Sequence, residues 1–344
     1  MKKMRTSAFA LLLVAIMAPA IFAQNTSVFD KALKDFDAKQ YDQAIAGFRQ
    51  HLKQFPNDAS AYFNIGLANY NQRRYEAAVA EFQSAVGVKV DYAKAHYWLG
   101  SSHFYLDRYA QAAAAYRDAI RYQPNYVDAH IWLGVSLKEL NQPTDAIRSI
   151  QTAIQFDATN GIAHYRLGLV YQSLKRYADA VASHKNATRL RPDMGSAFRE
   201  LGNSHNSLRQ FPDAIAAFNA ALKLDPNDTS SILGLGNSYY NDAKYAASIP
   251  LYKRAVELNP SVSQYVLYLG DAYFNTNQDA LAKASYDKAL TLAPRDANVI
   301  YALGLYWVRM KNAVLAREQK IKLDVLDTKL ATQLQTKMTT AGLR

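Results

Sequence analysis

Residues 93–126 read AKAHYWLGSSHFYLDRYAQAAAAYRDAIRYQPNY, and residues 127–160 read VDAHIWLGVSLKELNQPTDAIRSIQTAIQFDATN. Laid over each other without a gap, the two stretches share Leu-Gly, a later Ala, and an Ala-Ile pair. The same step continues in both directions. Gly66, Gly100, Gly134, Gly168, Gly202, Gly236, Gly270 and Gly304 are each 34 residues apart, and they account for eight of the 14 glycines. Ala44, Ala78, Ala112, Ala146, Ala180, Ala214, Ala282 and Ala316 keep the period, with Ser248 in the gap. Ala85, Ala119, Ala153, Ala187, Ala221, Ala255 and Ala289 form a third series, and Pro56, Pro124, Pro192, Pro226, Pro260 and Pro294 a fourth. A fixed period of this length marks a repeat architecture.

With the glycine at position 8, units begin at Asn25, Ala59, Ala93, Val127, Gly161, Gly195, Thr229, Ser263 and Ala297, and they cover residues 25–330. Each series has a physical reason. Glycine inside a helix costs about 1 kcal/mol relative to alanine, so its recurrence implies that another helix passes too close for a Cβ. Alanine at positions 20 and 27 allows close approach with good helix propensity. Large side chains at positions 4, 7, 11 and 24 fill the remaining space. Proline at position 32 stands just past a helix end. Asp225, Asn227, Asn259 and Asp296 stand beside it, where they suit the start of the next helix.

These series resemble the tetratricopeptide repeat family, whose unit is a helix–turn–helix of 34 residues. The resemblance implies an all-α fold: a right-handed superhelical solenoid of about nine repeats, stacked into one continuous core. The ends read as caps. The first unit has Lys31 and Ala32 where the others carry an apolar residue and glycine. The last has Lys320 where an aromatic usually stands. Leu326, Leu330, Leu334 and Met338 follow at four-residue spacing, which predicts one amphipathic capping helix within 325–344.

The N-terminus is of another kind. Lys2, Lys3 and Arg5 precede an apolar run from Ala8 to Ile16, then Pro19, Ala20, Ile21, Phe22 and Ala23. This is the layout of a secretory signal at 1–23, cut after Ala23 or, less well, Ala20. An uncleaved membrane anchor is the alternative. Cleavage takes the basic residues from 40 to 37 against 29 acidic ones, a mature net charge of +8. The expected location is therefore periplasmic or secreted, and export argues against a nucleic-acid partner.

Catalytic chemistry finds no pattern. The chain has no cysteine, which excludes disulfides, cysteine-ligated metals and thiol catalysis. His96, His130 and His164 all fall at position 4, one per unit. Stacked helices stand about 10 Å apart, whereas metal ligands sit about 2 Å from their ion. These imidazoles therefore read as packing residues with one satisfied nitrogen. No His-Glu-x-x-His, Gly-x-Ser-x-Gly or phosphate loop occurs. The expectation is no enzyme, no cofactor and no metal.

What remains is a binding surface. In the family that the repeats resemble, positions 2, 5, 9, 12 and 13 line the concave groove. They hold Phe29, Phe36, Phe63, Tyr70, Tyr97, Phe104 and Tyr105 in the first three units. In units six to eight they hold Arg199, Asn203, Asn206, Ser207, Asn237, Tyr240, Asn241, Asp271 and Asn275. The family's carboxylate clamp is matched at Arg199 and Asn203 but not at Gly234, Gln264 and Tyr268, so it is not expected here. The expected role is a non-catalytic scaffold of the cell envelope that binds a protein or peptide segment. An adaptor for an envelope polysaccharide is the alternative, since tyrosines and amides also suit sugars.

Overall fold

The computed structural model describes residues 28–343, so the signal segment at 1–23 lies outside the described residues. Two compact units divide the chain between Val170 and Tyr171. Among the described residues there are nineteen helices and no strand.

The first unit holds α1 (28–37), α2 (Tyr41–Leu52), α3 (Ala59–Asn71), α4 (Tyr75–Val88), α5 (Ala93–Tyr105), α6 (Tyr109–Tyr122), α7 (Val127–Glu139) and α8 (Pro143–Phe156). The division falls inside α9 (Gly161–Ser173). The second unit continues with α10 (Tyr177–Leu190), α11 (Gly195–Ser207), α12 (Phe211–Leu224), α13 (Thr229–Asn241), α14 (Tyr245–Leu258), α15 (Ser263–Asn275), α16 (Asp279–Leu292), α17 (Ala297–Arg309), α18 (Ala313–Leu326) and α19 (Thr328–Thr340). From α2 to α8, and again from α10 to α19, each helix packs on the next. The first helix of each unit from Ala59 to Ala297 starts at the residue where the repeat was expected to start.

The glycine series has a steric cause that the structure makes specific. A Cβ on Gly66, Gly100, Gly202, Gly236 or Gly270 would stand 2.6–2.8 Å from the position-24 ring of its own unit, namely Phe82, Tyr116, Phe218, Tyr252 or Tyr286. The close neighbour is thus a ring rather than the backbone of the second helix. At Gly134 it is Ile150, at 2.4 Å. The first 34-residue repeat reverses the arrangement: Ala32 occupies position 8 and Gly47 on α2 makes room for it.

The turn between the two helices of a unit carries a second series. Lys39, Arg73, Asp107, Asn141, Lys175, Arg209, Ala243, Asn277 and Lys311, all at position 15, have φ between +54° and +60°. The next residue's amide donates to the carbonyl five residues earlier, at 2.8–2.9 Å, as in Lys244 to Tyr239. This is the left-handed helix stop usually occupied by glycine. A residue with a Cβ costs about 1–2 kcal/mol in that conformation. Ala243→Gly is therefore expected to raise stability by about 0.5–1 kcal/mol, read as a higher denaturation midpoint. An unchanged or lower midpoint would mean that the alanine is unstrained there.

The loops between units cap the following helix, though not always with the expected residue. Asp58, Asp228 and Asp296 accept from amides in the first turns of α3, α13 and α17. Asp225 instead accepts from Asn227 within the loop at 3.0 Å, and the Asn259 amide reaches the Thr229 hydroxyl at 3.3 Å. At the C-terminus the expected single helix is broken. Leu326 ends α18, and Asp327 caps α19 through the amides of Lys329 and Leu330, both at 3.0 Å. Leu334 then meets Gly304, where a Cβ would lie 2.5 Å from it. The capping helix thereby supplies the large side chain that Lys320 does not.

Candidate functional site

The aromatic series of the first unit is laid down by α1, α3 and α5, whose groove positions recur with the 34-residue step. Its rings pack mainly against aromatic side chains of neighbouring helices and turns. Phe29 meets Phe48 and His51 edge-on, and Phe36 meets Tyr41. Phe63 lies against Phe82 and Tyr92, and Tyr97 against Trp98 and Tyr126. Tyr70 is enclosed by Tyr75, Trp98 and Tyr105, and burial, then Tyr105, pushes its hydroxyl above the ordinary range. Phe104 packs on Trp132 and Tyr109. Of the seven rings only Tyr105 is exposed, at 50%, and it stacks on Tyr75 with centroids 5.0 Å apart. The aromatic surface expected at these positions is therefore a half-buried ladder rather than a bare patch.

In the second unit the polar groove residues divide into two sets. The first is committed internally. Arg199 pairs with Asp228 at 2.9 Å and Glu200 at 3.4 Å, and Asn203 donates to Glu200 at 3.0 Å. Asn206 donates to the Gly234 carbonyl and accepts from Ser238, and the Ser207 hydroxyl donates to the Asn203 carbonyl. The arginine that matched a carboxylate clamp is thus already paired with acids.

The second set opens onto space. Asn237, Tyr240, Asn241, Tyr252, Tyr268 and Asp271 line a cleft of about 260 Å³. Tyr240, Tyr268 and Asp271 also line an adjoining cleft of about 450 Å³ that reaches Gln264, Asn298 and Tyr301. Two tyrosines from the packing series line the clefts, Tyr252 the smaller and Tyr286 the larger. Tyr252 donates to Asn237 Oδ1 at 2.8 Å, and Tyr286 donates to Asp271 Oδ1 at 2.9 Å. Both bonds span position 24 to position 9, next to the glycine gap; Tyr116 and Ser101 make the equivalent contact at 3.1 Å in the first unit. Asn275 donates to the Tyr240 hydroxyl at 2.9 Å and to the Asp271 carbonyl at 2.8 Å. Burial pushes the Asp271 carboxyl up to about 6, with the Tyr286 hydroxyl offsetting only part of the effect. Burial, then the Asp271 charge, pushes the Tyr240 hydroxyl up to about 12.

A family model described as tetratricopeptide repeat matches residues 29–96, 97–161, 165–229 and 233–298. The chain belongs to the tetratricopeptide repeat family. Solved structures with the same fold include the C-terminal part of a tetratricopeptide repeat protein from Cytophaga hutchinsonii, 19% identical, with a TM-score of 0.59 over 70% of this chain and 99% of that one. A tetratricopeptide repeat protein from Parabacteroides merdae is 15% identical, with a TM-score of 0.54 over 72% of this chain and 98% of that one. PilF of Pseudomonas aeruginosa is 20% identical, with a TM-score of 0.52 over 60% of this chain and 94% of that one. No curated protein matches the sequence.

The tetratricopeptide groove positions place Asn237, Tyr240, Asn241, Asp271 and Asn275 at the two clefts, and they leave Arg199, Asn203 and Asn206 outside them. Sequence reading missed Tyr252, Tyr286, Tyr268, Gln264, Asn298 and Tyr301 as lining residues. Tyr252 and Tyr286 sit at a packing position, where only a hydroxyl distinguishes them from Phe82 or Phe218. Gln264 and Tyr268 break the clamp pattern, and that departure was the available signal. The position-4 histidines have structural partners: Nε2 of His96, His130 and His164 faces the carbonyl oxygens of Val90, Pro124 and Ala158 at 2.8, 2.9 and 3.3 Å.

Proposed function

We propose that this tetratricopeptide repeat protein is an exported, non-catalytic interaction scaffold, and that a partner segment seats in the clefts around Tyr240, Tyr268 and Asp271. Helix-hairpin repeats present extended surfaces for partners, and function is argued from the site rather than the fold. The observation that carries the reading is the make-up of the larger cleft. At about 450 Å³ it falls within the range of ligand pockets, and it combines tyrosine rings with amides and a carboxylate. Rings supply desolvated anchors, and amides satisfy the backbone of a bound segment. The charged start and apolar run at 1–23 support export to the cell envelope.

The same rings and amides favour a second reading, an adaptor for envelope polysaccharide. Pull-down from the native envelope, run beside a glycan array, separates the two. Tyr240→Ala with Tyr268→Ala is expected to weaken capture at least about tenfold, which needs only about 1.4 kcal/mol. Tyr70→Ala with Tyr97→Ala serves as the comparison. If the first-unit pair abolishes capture while the cleft pair binds like the parent, the anchor lies in the aromatic ladder instead.

A further inference from the structure

The clefts of the second unit have an unusual charge balance for this protein. The chain carries 40 Lys and Arg against 29 Asp and Glu. None of the lining residues of either cleft is Lys, Arg or His, and the one acid among them is Asp271. Several basic side chains of the surrounding elements are engaged elsewhere. Arg309 pairs with Asp279, donates to the Phe274 carbonyl and lies over the Phe274 ring. Lys283 pairs with Asp287 at 2.6 Å, Lys244 with Asp242 at 2.7 Å, and Arg254 reaches Asn227 at 2.9 Å. Asp271 itself receives its side-chain hydrogen bond from a neutral donor, Tyr286. A half-buried carboxylate with one neutral partner is under-compensated, and a cation entering the cleft would correct this.

The rings around it suit the same guest. Tyr240 and Tyr268 line both clefts beside Asp271, and Tyr252 lies 5.5 Å from Tyr268, centroid to centroid. Aromatic faces attract ammonium groups, more so when the site is desolvated. Anions find no positive group among the lining residues and meet the carboxylate.

We propose that this site receives a lysine ammonium of a partner segment, with Asp271 as counter-ion and Tyr240 and Tyr268 as walls. The proposal rests on the binding reading given above and names the chemistry that the segment must carry. Asn241, Gln264 and Asn298 lie at the rim of the clefts, where amide groups hydrogen-bond the peptide backbone on either side of the lysine.

The test uses the full-length protein and three probes: a short peptide with one central lysine, the same peptide ε-acetylated, and the same peptide with norleucine for lysine. Titration followed by calorimetry or by ligand NMR should show saturable binding of the lysine peptide. Acetylation or norleucine should weaken it at least tenfold. Asp271→Asn should weaken it at least tenfold while the far-ultraviolet spectrum and melting remain those of a folded chain, and Tyr268→Ala should do the same. Equal binding of the lysine and acetyl-lysine peptides would overturn the proposal, as would an Asp271→Asn protein that binds like the parent. If the lysine peptide fails but Tyr240→Ala with Tyr268→Ala still abolishes envelope capture, the cleft is a binding site of other chemistry. If an oligosaccharide binds and is lost on Tyr268→Ala while the lysine peptide does not bind, the guest is a glycan and this proposal falls.

Discussion

Phe218→Ala is expected to destabilise the second unit by about 3–5 kcal/mol, the range for truncating a buried aromatic. The ring is fully buried. It lies between two glycines on different helices: a Cβ on Gly202 of α11 would stand 2.8 Å from it, and one on Gly234 of α13 would stand 2.3 Å from it. The cost of a truncation depends on how well the walls collapse into the space left. Here two walls have no side chain to move, so the cavity persists. The same geometry predicts a reversal of sign. Gly234→Ala alone should destabilise, because the ring is blocked on its far side by Gly202 and cannot retreat. In the Phe218→Ala background Gly234→Ala should stabilise, by about 1 kcal/mol from helix propensity and by the burial of one methyl group. Urea titration of the four proteins reads both effects as midpoint shifts at constant slope. A Phe218→Ala loss below 1 kcal/mol, or a Gly234→Ala effect of the same sign in both backgrounds, would refute the sandwich as the source of the stability.

The Gly202 side of that packing was legible in the sequence because it is repeated, whereas Gly234 stands outside the series and its contact with Phe218 was not. A steric exclusion at position 8 of one unit tells little, but its recurrence at Gly66, Gly100, Gly202, Gly236 and Gly270 fixes the period and implies something too close for a Cβ, while only the structure shows that it is the position-24 ring and not helix backbone. The left-handed turn at position 15 recurs as strictly and left no mark. Lys39, Asp107, Ala243 and their counterparts share a backbone angle and no chemistry. A cost of about 1–2 kcal/mol at one turn is small beside the packing of a hairpin, so glycine is not required there. The groove was legible in part for a related reason. The family's groove pattern picks out Asn237, Tyr240, Asn241, Asp271 and Asn275, but it does not say which polar groups find partners in the protein. Arg199 and Asn203 have the same kind of position, yet Asp228 and Glu200 satisfy them. Nor does it reveal that Tyr252 and Tyr286 line the clefts and bond to Asn237 and Asp271 through hydroxyls carried by rings whose other contacts are core. In the first unit rings of successive repeats meet, as Tyr70 meets Tyr105 and Phe104 meets Trp132, and six of the seven groove rings are half-buried.

Asp271→Asn is expected to make the protein more stable at pH 7.5 and to weaken binding at the same time. The sign follows from the direction of the shift. Burial raises the Asp271 carboxyl from its ordinary 3.8 to about 6, so the unfolded chain releases this proton first. Below about pH 4 both states hold the proton, and the group is neutral wherever it is. As the pH rises through 6 the folded state must ionise the carboxyl in its half-buried site, and stability is lost over that interval. Each factor of ten in acidity is worth about 1.4 kcal/mol, so the full effect is at most about 3 kcal/mol, and about 1–2 after allowance for solvent reaching the cleft. Asparagine has the same shape, carries no charge, and keeps an oxygen for the Tyr286 hydroxyl. Its advantage should therefore be full at pH 7.5 and nearly absent at pH 4, measured as the difference in denaturation midpoint between the two proteins at each pH. A residue that lowers stability at working pH, and that a neutral isostere would relieve, is what a binding site tends to retain. Saturating lysine peptide at pH 7.5 should raise the parent's midpoint and leave that of Asp271→Asn nearly unmoved, because only the parent gains a charge partner. A variant that is less stable than the parent at both pH values would show that the ionised carboxylate is already compensated inside the protein, and with it the case for a bound ammonium would be lost.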